Sequence, residues 1–138
     1  MSGEEKKGVL TSIDHIVLTA SDMDQTISFY CDILGMELQT FTPSDGGQKR
    51  WSLKFGDHKI NLHDEKLPYN PHAKNPISGA VDICFLSSTP IKTWKNIFSK
   101  YNIKIEDGPV RKTGASSPII SLYVRDPDLN LIEISNKI

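Results

Sequence analysis

The chain has 138 residues, 38% of them hydrophobic and 24% charged, with a net charge of -1 at neutral pH. That composition supports one ordinary core-forming domain and argues against wholesale disorder. The near-neutral balance, without a basic run, gives a nucleic-acid partner no electrostatic support. No apolar run approaches the roughly 20 residues that a membrane-spanning helix needs. Residues 1–10 read as a disordered tail, because Met1 to Gly8 is polar and has no apolar segment behind it. Cys31 and Cys84 lie inside apolar periodic segments and read as two buried free thiols, which fits a reducing, cytoplasmic setting.

In chain order, Ile13 to Thr19 is β-branched and short, a strand. Ser21 is a plausible N-cap, and Met23, Ile27, Tyr30, Cys31 and Leu34 follow at helical spacing until Gly35 stops the helix. Strands are expected at 36–41, 50–55 and 59–63, with turns at Ser44 to Gly47 and Gly56-Asp57. Residues 66–79 hold Pro68, Pro71, Pro76 and Gly79 and read as a linker, with His72 solvated there.

The pattern then restarts. A strand at 81–86 is followed by a helix capped by Ser88 or Thr89, with Pro90 in its first turn. Ile91, Trp94, Phe98 and Tyr101 form its apolar face, and Asn102 takes the place of Gly35. Further strands are expected at 103–106, 119–124 and 131–135. A loop carries Gly108, Pro109, Gly114 and Pro118, and Asp126-Pro127-Asp128 makes a turn. Arg125 is expected to pair with Asp126 or Asp128.

The restart is a repeat. At an offset of 67 residues His15 falls on Asp82, Ser21 on Ser88 and Gly35 on Asn102 without a gap. Ile60-Asn61-Leu62 corresponds to Ile132-Glu133-Ile134 once loop lengths differ. A repeat this long is a whole supersecondary unit. The expectation is an α+β domain over 11–138, made of two βαβββ modules (about 11–65 and about 80–138) that form a curved mixed sheet around a central cavity.

Each copy carries a polar residue in its first strand and another in its last: His15 and Asn61, then Asp82 and Glu133. His63, two residues from Asn61 and on the same face, is a fifth metal-ligand candidate that would add a second imidazole. A buried Glu133 between Ile132 and Ile134 needs a partner or a metal. Imidazole with carboxylates suits Zn, Mn, Fe, Co or Ni as divalent ions, and the sequence does not choose among them. The alternative is that each of these residues lies on a solvated face.

Three motifs carry a resemblance: Asp14-His15-Ile16, the run from Phe29-Tyr30 to Leu34-Gly35-Met36, and Asp126-Pro127-Asp128 leading to Ile132-Glu133. In order and over nearly the whole chain, they resemble the vicinal oxygen chelate superfamily of glyoxalases, bleomycin-resistance proteins and extradiol dioxygenases. The segments Ile60 to His63, Asp107 to Val110 and Arg111 to Ala115 are similar to those of a glyoxalase-domain and virulence-associated subgroup. The resemblance implies a divalent metal held at His15, Asn61, Asp82 and Glu133, a small vicinal-oxygen substrate and a homodimer. It implies lactoylglutathione lyase-like chemistry, with Glu133 and Asp82 as catalytic groups. The alternatives are a non-catalytic small-molecule-sequestering protein and an extradiol-type dioxygenase. Two departures bear on this choice. Asn61 stands where glyoxalase I has a glutamate, and an amide is no general base. Asp82 stands where a histidine is common, which weakens the dioxygenase reading. Arg111 and Lys112 read either as an anion-binding pair or as a solvated loop, and Tyr123 and Trp51 either as pocket walls or as core.

Overall fold

A computed structural model describes residues 6–138, so the first half of the expected 1–10 tail lies outside the described residues. The first module runs β1 (His15–Ala20), α1 (Met23–Ser28), a π-helical turn (Phe29–Ile33), β2 (Glu37–Phe41), β3 (Arg50–Phe55) and β4 (His58–Asp64). The second runs β5 (Asp82–Leu86), α2 (Ile91–Lys100), β6 (Asp107–Thr113), β7 (Pro118–Arg125) and β8 (Leu131–Lys137). Each module forms its own four-stranded mixed sheet, ordered β1-β4-β3-β2 and β5-β8-β7-β6. In each the first and last strands pair in parallel and the other pairs are antiparallel. The duplication expected from the repeat is therefore a duplication of topology, and the α+β fold of two βαβββ modules stands.

Strand alternation gives each sheet one apolar and one polar face. Leu18, Leu53, Ile60 and Leu62 turn inward from the first sheet, and Phe85, Leu122, Val124, Ile132 and Ile134 from the second. They meet Phe29 and Tyr30 of the π-helical turn and Ile91, Trp94 and Phe98 of α2 in one core. The opposite faces stay open.

Asp22, not Ser21, caps α1: its carboxylate accepts from the backbone N–H of Gln25 at 3.0 Å. Ser21 bonds instead to the Asp128 carboxylate of the other module. Gly35 is left-handed with φ 80°, and Asn102 takes the same conformation at φ 57°, as the repeat anticipates. Neither Ser88 nor Thr89 caps α2. Asn136 of β8 accepts from the Ile91 N–H at 2.8 Å and returns donors to the carbonyls of Ser87 and Thr89.

The second strand of module two is displaced from the sequence expectation. Residues 103–106 are not a strand; β6 starts at Asp107 and runs through Gly108 and Pro109 to Thr113. The reason is a close backbone approach. A Cβ at Gly108 would lie 2.2 Å from the Ser121 carbonyl, so only glycine lets β6 close on β7 there, with a bulge before Val110.

Beyond that shared core, three specific contacts among the described residues link the modules. Tyr30 donates to Asp126 at 2.7 Å, Ser21 bonds Asp128, and the Phe55 ring meets Phe85 edge-on at 5.3 Å. Arg125 pairs with Glu106 at 3.1 Å rather than with Asp126 or Asp128, because Asp126 is buried and occupied by Tyr30 and Asn130.

Candidate functional site

The open face of the second sheet carries a cavity of about 430 Å³. Cys84, Leu86, Tyr123, Glu133 and Lys137 line it with Lys112 and the loop at 113–117. Register explains the grouping. Cys84 lies opposite Glu133, and Glu133 opposite Tyr123, so all three project from the same face. Asp82 is two residues before Cys84 on that face and is exposed.

Glu133 is half-buried and fixed from behind. Ser121, fully buried, donates to Glu133 Oε2 at 2.6 Å. The Ser121 hydroxyl has one proton, so its 2.6 Å contact with Ser135 is one that it accepts. Ser135 in turn accepts from the Cys84 thiol at 3.2 Å. The result is a directed chain from Cys84 through Ser135 and Ser121 to one carboxylate oxygen. Burial, then Glu133, pushes the Tyr123 hydroxyl up to about 12. Burial pushes the Cys84 thiol up as well, so it is a hydrogen-bonding group and no ready nucleophile.

The first sheet repeats the geometry. His15 lies opposite Lys59 with Asn61 two residues further along; Asp82 lies opposite Leu131 with Glu133 two residues further along. His15 Nδ1 meets Asp14 at 2.8 Å. A carboxylate only accepts, so the ring proton sits on Nδ1 and Nε2 is left free. That same bond to His15 holds the Asp14 carboxyl below its usual range.

The sequence-derived residues therefore fall into groups. Glu133, Tyr123 and Lys112 meet in the cavity, and Asp82 shares their face. His15 and Asn61 share the open face of the other sheet and do not line that cavity. Among the described residues, no three His, Cys, Asp or Glu side chains of one chain come together as a metal-holding group. His63 faces the same side as Asn61, but it pairs with Thr19, four residues from His15. Four residues at roughly 3.3 Å each put it about 13 Å away along the sheet. Arg111 and Lys112 are in β6, not in a loop, and alternation sends Arg111 away from the cavity. Trp51 packs against the core and does not line the cavity. Cys31 is half-buried and Cys84 exposed, so the expectation of two buried thiols fails, although both are free.

Ser121, Ser135 and Cys84 are what the sequence reading missed. Their signal was present: Ser135 is two residues from Glu133, and Cys84 two from Asp82. Small polar residues read as neutral until a register aligns them.

The model of the Glyoxalase/Bleomycin resistance protein/Dioxygenase superfamily matches residues 12–134, which include both modules and all four symmetry-related positions. The chain belongs to this superfamily. It is 46% identical over 127 residues to virulence protein STM3117 of Salmonella typhimurium, covering 92% of this chain and 85% of that protein. The crystal structure of that protein superposes with a TM-score of 0.88 at 44% identity, over 95% of this chain and 100% of that one. Glyoxalase domain-containing protein RDO1 of Mycosarcoma maydis is 42% identical over 133 residues, covering 96% of this chain and 72% of its own length. Lactoylglutathione lyase GLX1 of Arabidopsis thaliana is 32% identical over 120 residues, covering 83% of this chain and 40% of that protein. Members of the superfamily commonly use divalent metals, bind small molecules and often form dimers. No described helix is long and apolar enough to cross a membrane.

The donors present suit such a metal. His15 offers a free Nε2 set by Asp14, Glu133 a carboxylate oriented by Ser121, and Asp82 and Asn61 add oxygens. They are divided between two open faces, so one chain alone does not assemble them.

Proposed function

We propose that this protein is a metal-dependent enzyme of the glyoxalase type, acting on a small substrate with adjacent oxygens, and that two copies complete its site. One observation carries the reading: two donor pairs sit at the same two-residue offset on the open faces of two equivalent sheets. A second copy that lays its first sheet against the second sheet of this one joins them. The exposed apolar residues on those faces support this, with Val17 45%, Phe41 59% and Leu86 59% exposed. The lyase named among the relatives supports the reaction class.

In this reading His15 and Asn61 of one copy face Asp82 and Glu133 of the other. A bound divalent ion supplies positive charge opposite the developing oxyanion of the substrate. Glu133 is held for that ion by Ser121, which also fixes its orientation. Asn61 cannot take a proton, so the base falls to a carboxylate, either Asp82 or Glu133. Lys112 and Lys137 at the rim attract an anionic part of the substrate, and the Tyr123 ring forms an apolar wall.

The experiment is metal analysis of protein purified without added metal, followed by assays with methylglyoxal plus glutathione and with a catechol. Metal content that depends on Glu133 and turnover of the first substrate support the reading. Catechol cleavage, or ligand binding without turnover and indifferent to metal, replaces it. Mixing inactive His15→Ala with inactive Glu133→Gln tests the shared site. Exchanged dimers regain one intact site only if the pairs come from different copies.

A further inference from the structure

We propose that Arg50 and His63, roofed by Tyr69, form a second binding position on the open face of the first sheet, and that it takes a small oxyanion such as phosphate or a carboxylate. The position is separate from the Glu133 cavity and does not depend on the metal reading.

Four observations converge there. His63 is only 2% exposed, and its Nδ1 is buried without a hydrogen-bond partner. Arg50 Nε is likewise buried without a partner. Pairing of Trp51 with Leu62 carries one step further to put Arg50 beside His63 on the same face. Above them lies Tyr69, its ring centroid 4.0 Å from that of His63 and 4.0 Å from the Arg50 guanidinium carbon. Two unpaired nitrogens side by side are costly, since each forfeits a hydrogen bond that water would supply.

The surroundings select the charge of the occupant. Neither ion pair found among the described residues involves Arg50. The carboxylates nearest in sequence are engaged elsewhere: Asp64 accepts from the Lys66 N–H at 2.9 Å, and Glu65 from the Ser78 N–H at 2.6 Å. Stacking on Tyr69 occupies the face of the guanidinium and leaves its in-plane N–H fork for an acceptor. A planar fork beside an imidazole matches the paired oxygens of a carboxylate or phosphate.

The segment that carries Tyr69 is suited to admit such a group. Residues 65–81 form no helix or strand, and Tyr69 lies between Pro68 and Asn70 in that stretch. The Tyr69 ring lies over both side chains.

The test is calorimetric titration of the full chain with inorganic phosphate and, separately, acetate, alongside the imidazole nitrogen NMR signals at fixed pH. Saturable binding that shifts the His63 signal is expected, weakened about tenfold or more in Arg50→Gln. Lys95→Gln, on the exposed side of α2 and away from both positions, should leave it unchanged. Phosphate binding without acetate binding assigns a phosphate-bearing ligand; binding of both admits carboxylates. If Arg50→Gln does not fold, Arg50→Lys and the His63 shift of the unmodified protein decide. No saturable binding of either anion overturns the proposal, and so does binding that leaves the His63 signal unmoved. Loss of phosphate binding with intact metal content would strike this inference alone and leave the proposed enzyme untouched.

Discussion

The hydroxyl of Tyr30 donates to Asp126 at 2.7 Å and ties the π-helical turn of the first module to the turn before β8 of the second. Asp126 is buried and takes three further donors, from the N–H groups of Asp128 and Asn130 and the Asn130 amide. Tyr30→Phe keeps the ring and removes one of four donors to a buried carboxylate. The expected loss of unfolding free energy is about 1–3 kcal/mol. Urea unfolding followed by circular dichroism checks it, and an unchanged midpoint would show that the contact between modules contributes nothing.

The same tyrosine predicts an alkaline limit. Burial, then Asp126, raises the ionisation of Tyr30 above the ordinary tyrosine value of 10, and Tyr123 rises to about 12. Both groups stay neutral in the folded chain at a pH where the unfolded chain has released its protons. The folded state then binds more protons, so stability is intact below pH 10 and falls as pH rises toward 12. Tyrosinate absorbance should show a high-pH step missing in Tyr123→Phe. Ionisation of Tyr123 at its ordinary value would disprove this.

Three backbone positions rank by cost. At Gly35, φ is 80° and an added Cβ meets nothing within 4 Å, so Gly35→Ala loses only the left-handed preference, about 1–2 kcal/mol. At Gly108 the Cβ would also strike the Ser121 carbonyl at 2.2 Å, and Gly108→Ala should cost at least about 3 kcal/mol or prevent folding. Asn102 at φ 57° already tolerates that region, so Asn102→Gly should change stability by about 0.5 kcal/mol or less. Denaturation midpoints in any other order refute the ranking.

Ser121→Ala removes the donor to Glu133 Oε2 without touching the cavity wall. If Glu133 holds a metal, its affinity should fall about tenfold or more through lost orientation. Glu133→Gln should lower it further. Metal titration of both variants gives the order, and a Ser121→Ala affinity equal to that of the parent would leave the hydroxyl chain without a role in binding.

Hydrophobic periodicity and the offset between His15 and Asp82 made the duplicated βαβββ architecture legible in the sequence, because the repeat lies in local patterns that each module carries within itself. The matching closing strands, Ile60-Asn61-Leu62 and Ile132-Glu133-Ile134, identified Asn61 and Glu133 once loop lengths were allowed to differ, since strand alternation is local too. Glycine 35 and Asn102 announced their left-handed caps for the same reason. What tertiary structure alone decided was everything that depends on register between distant strands. It moved the second strand of module two onto Gly108 through the close approach to Ser121. It placed Ser121 and Ser135 behind Glu133, and turned Trp51 inward and Arg111 away. It set His63 beneath Tyr69 and far from His15, and it left the two donor pairs on separate open faces. A sequence shows which residues share a face of one strand; only the packed chain shows which faces meet.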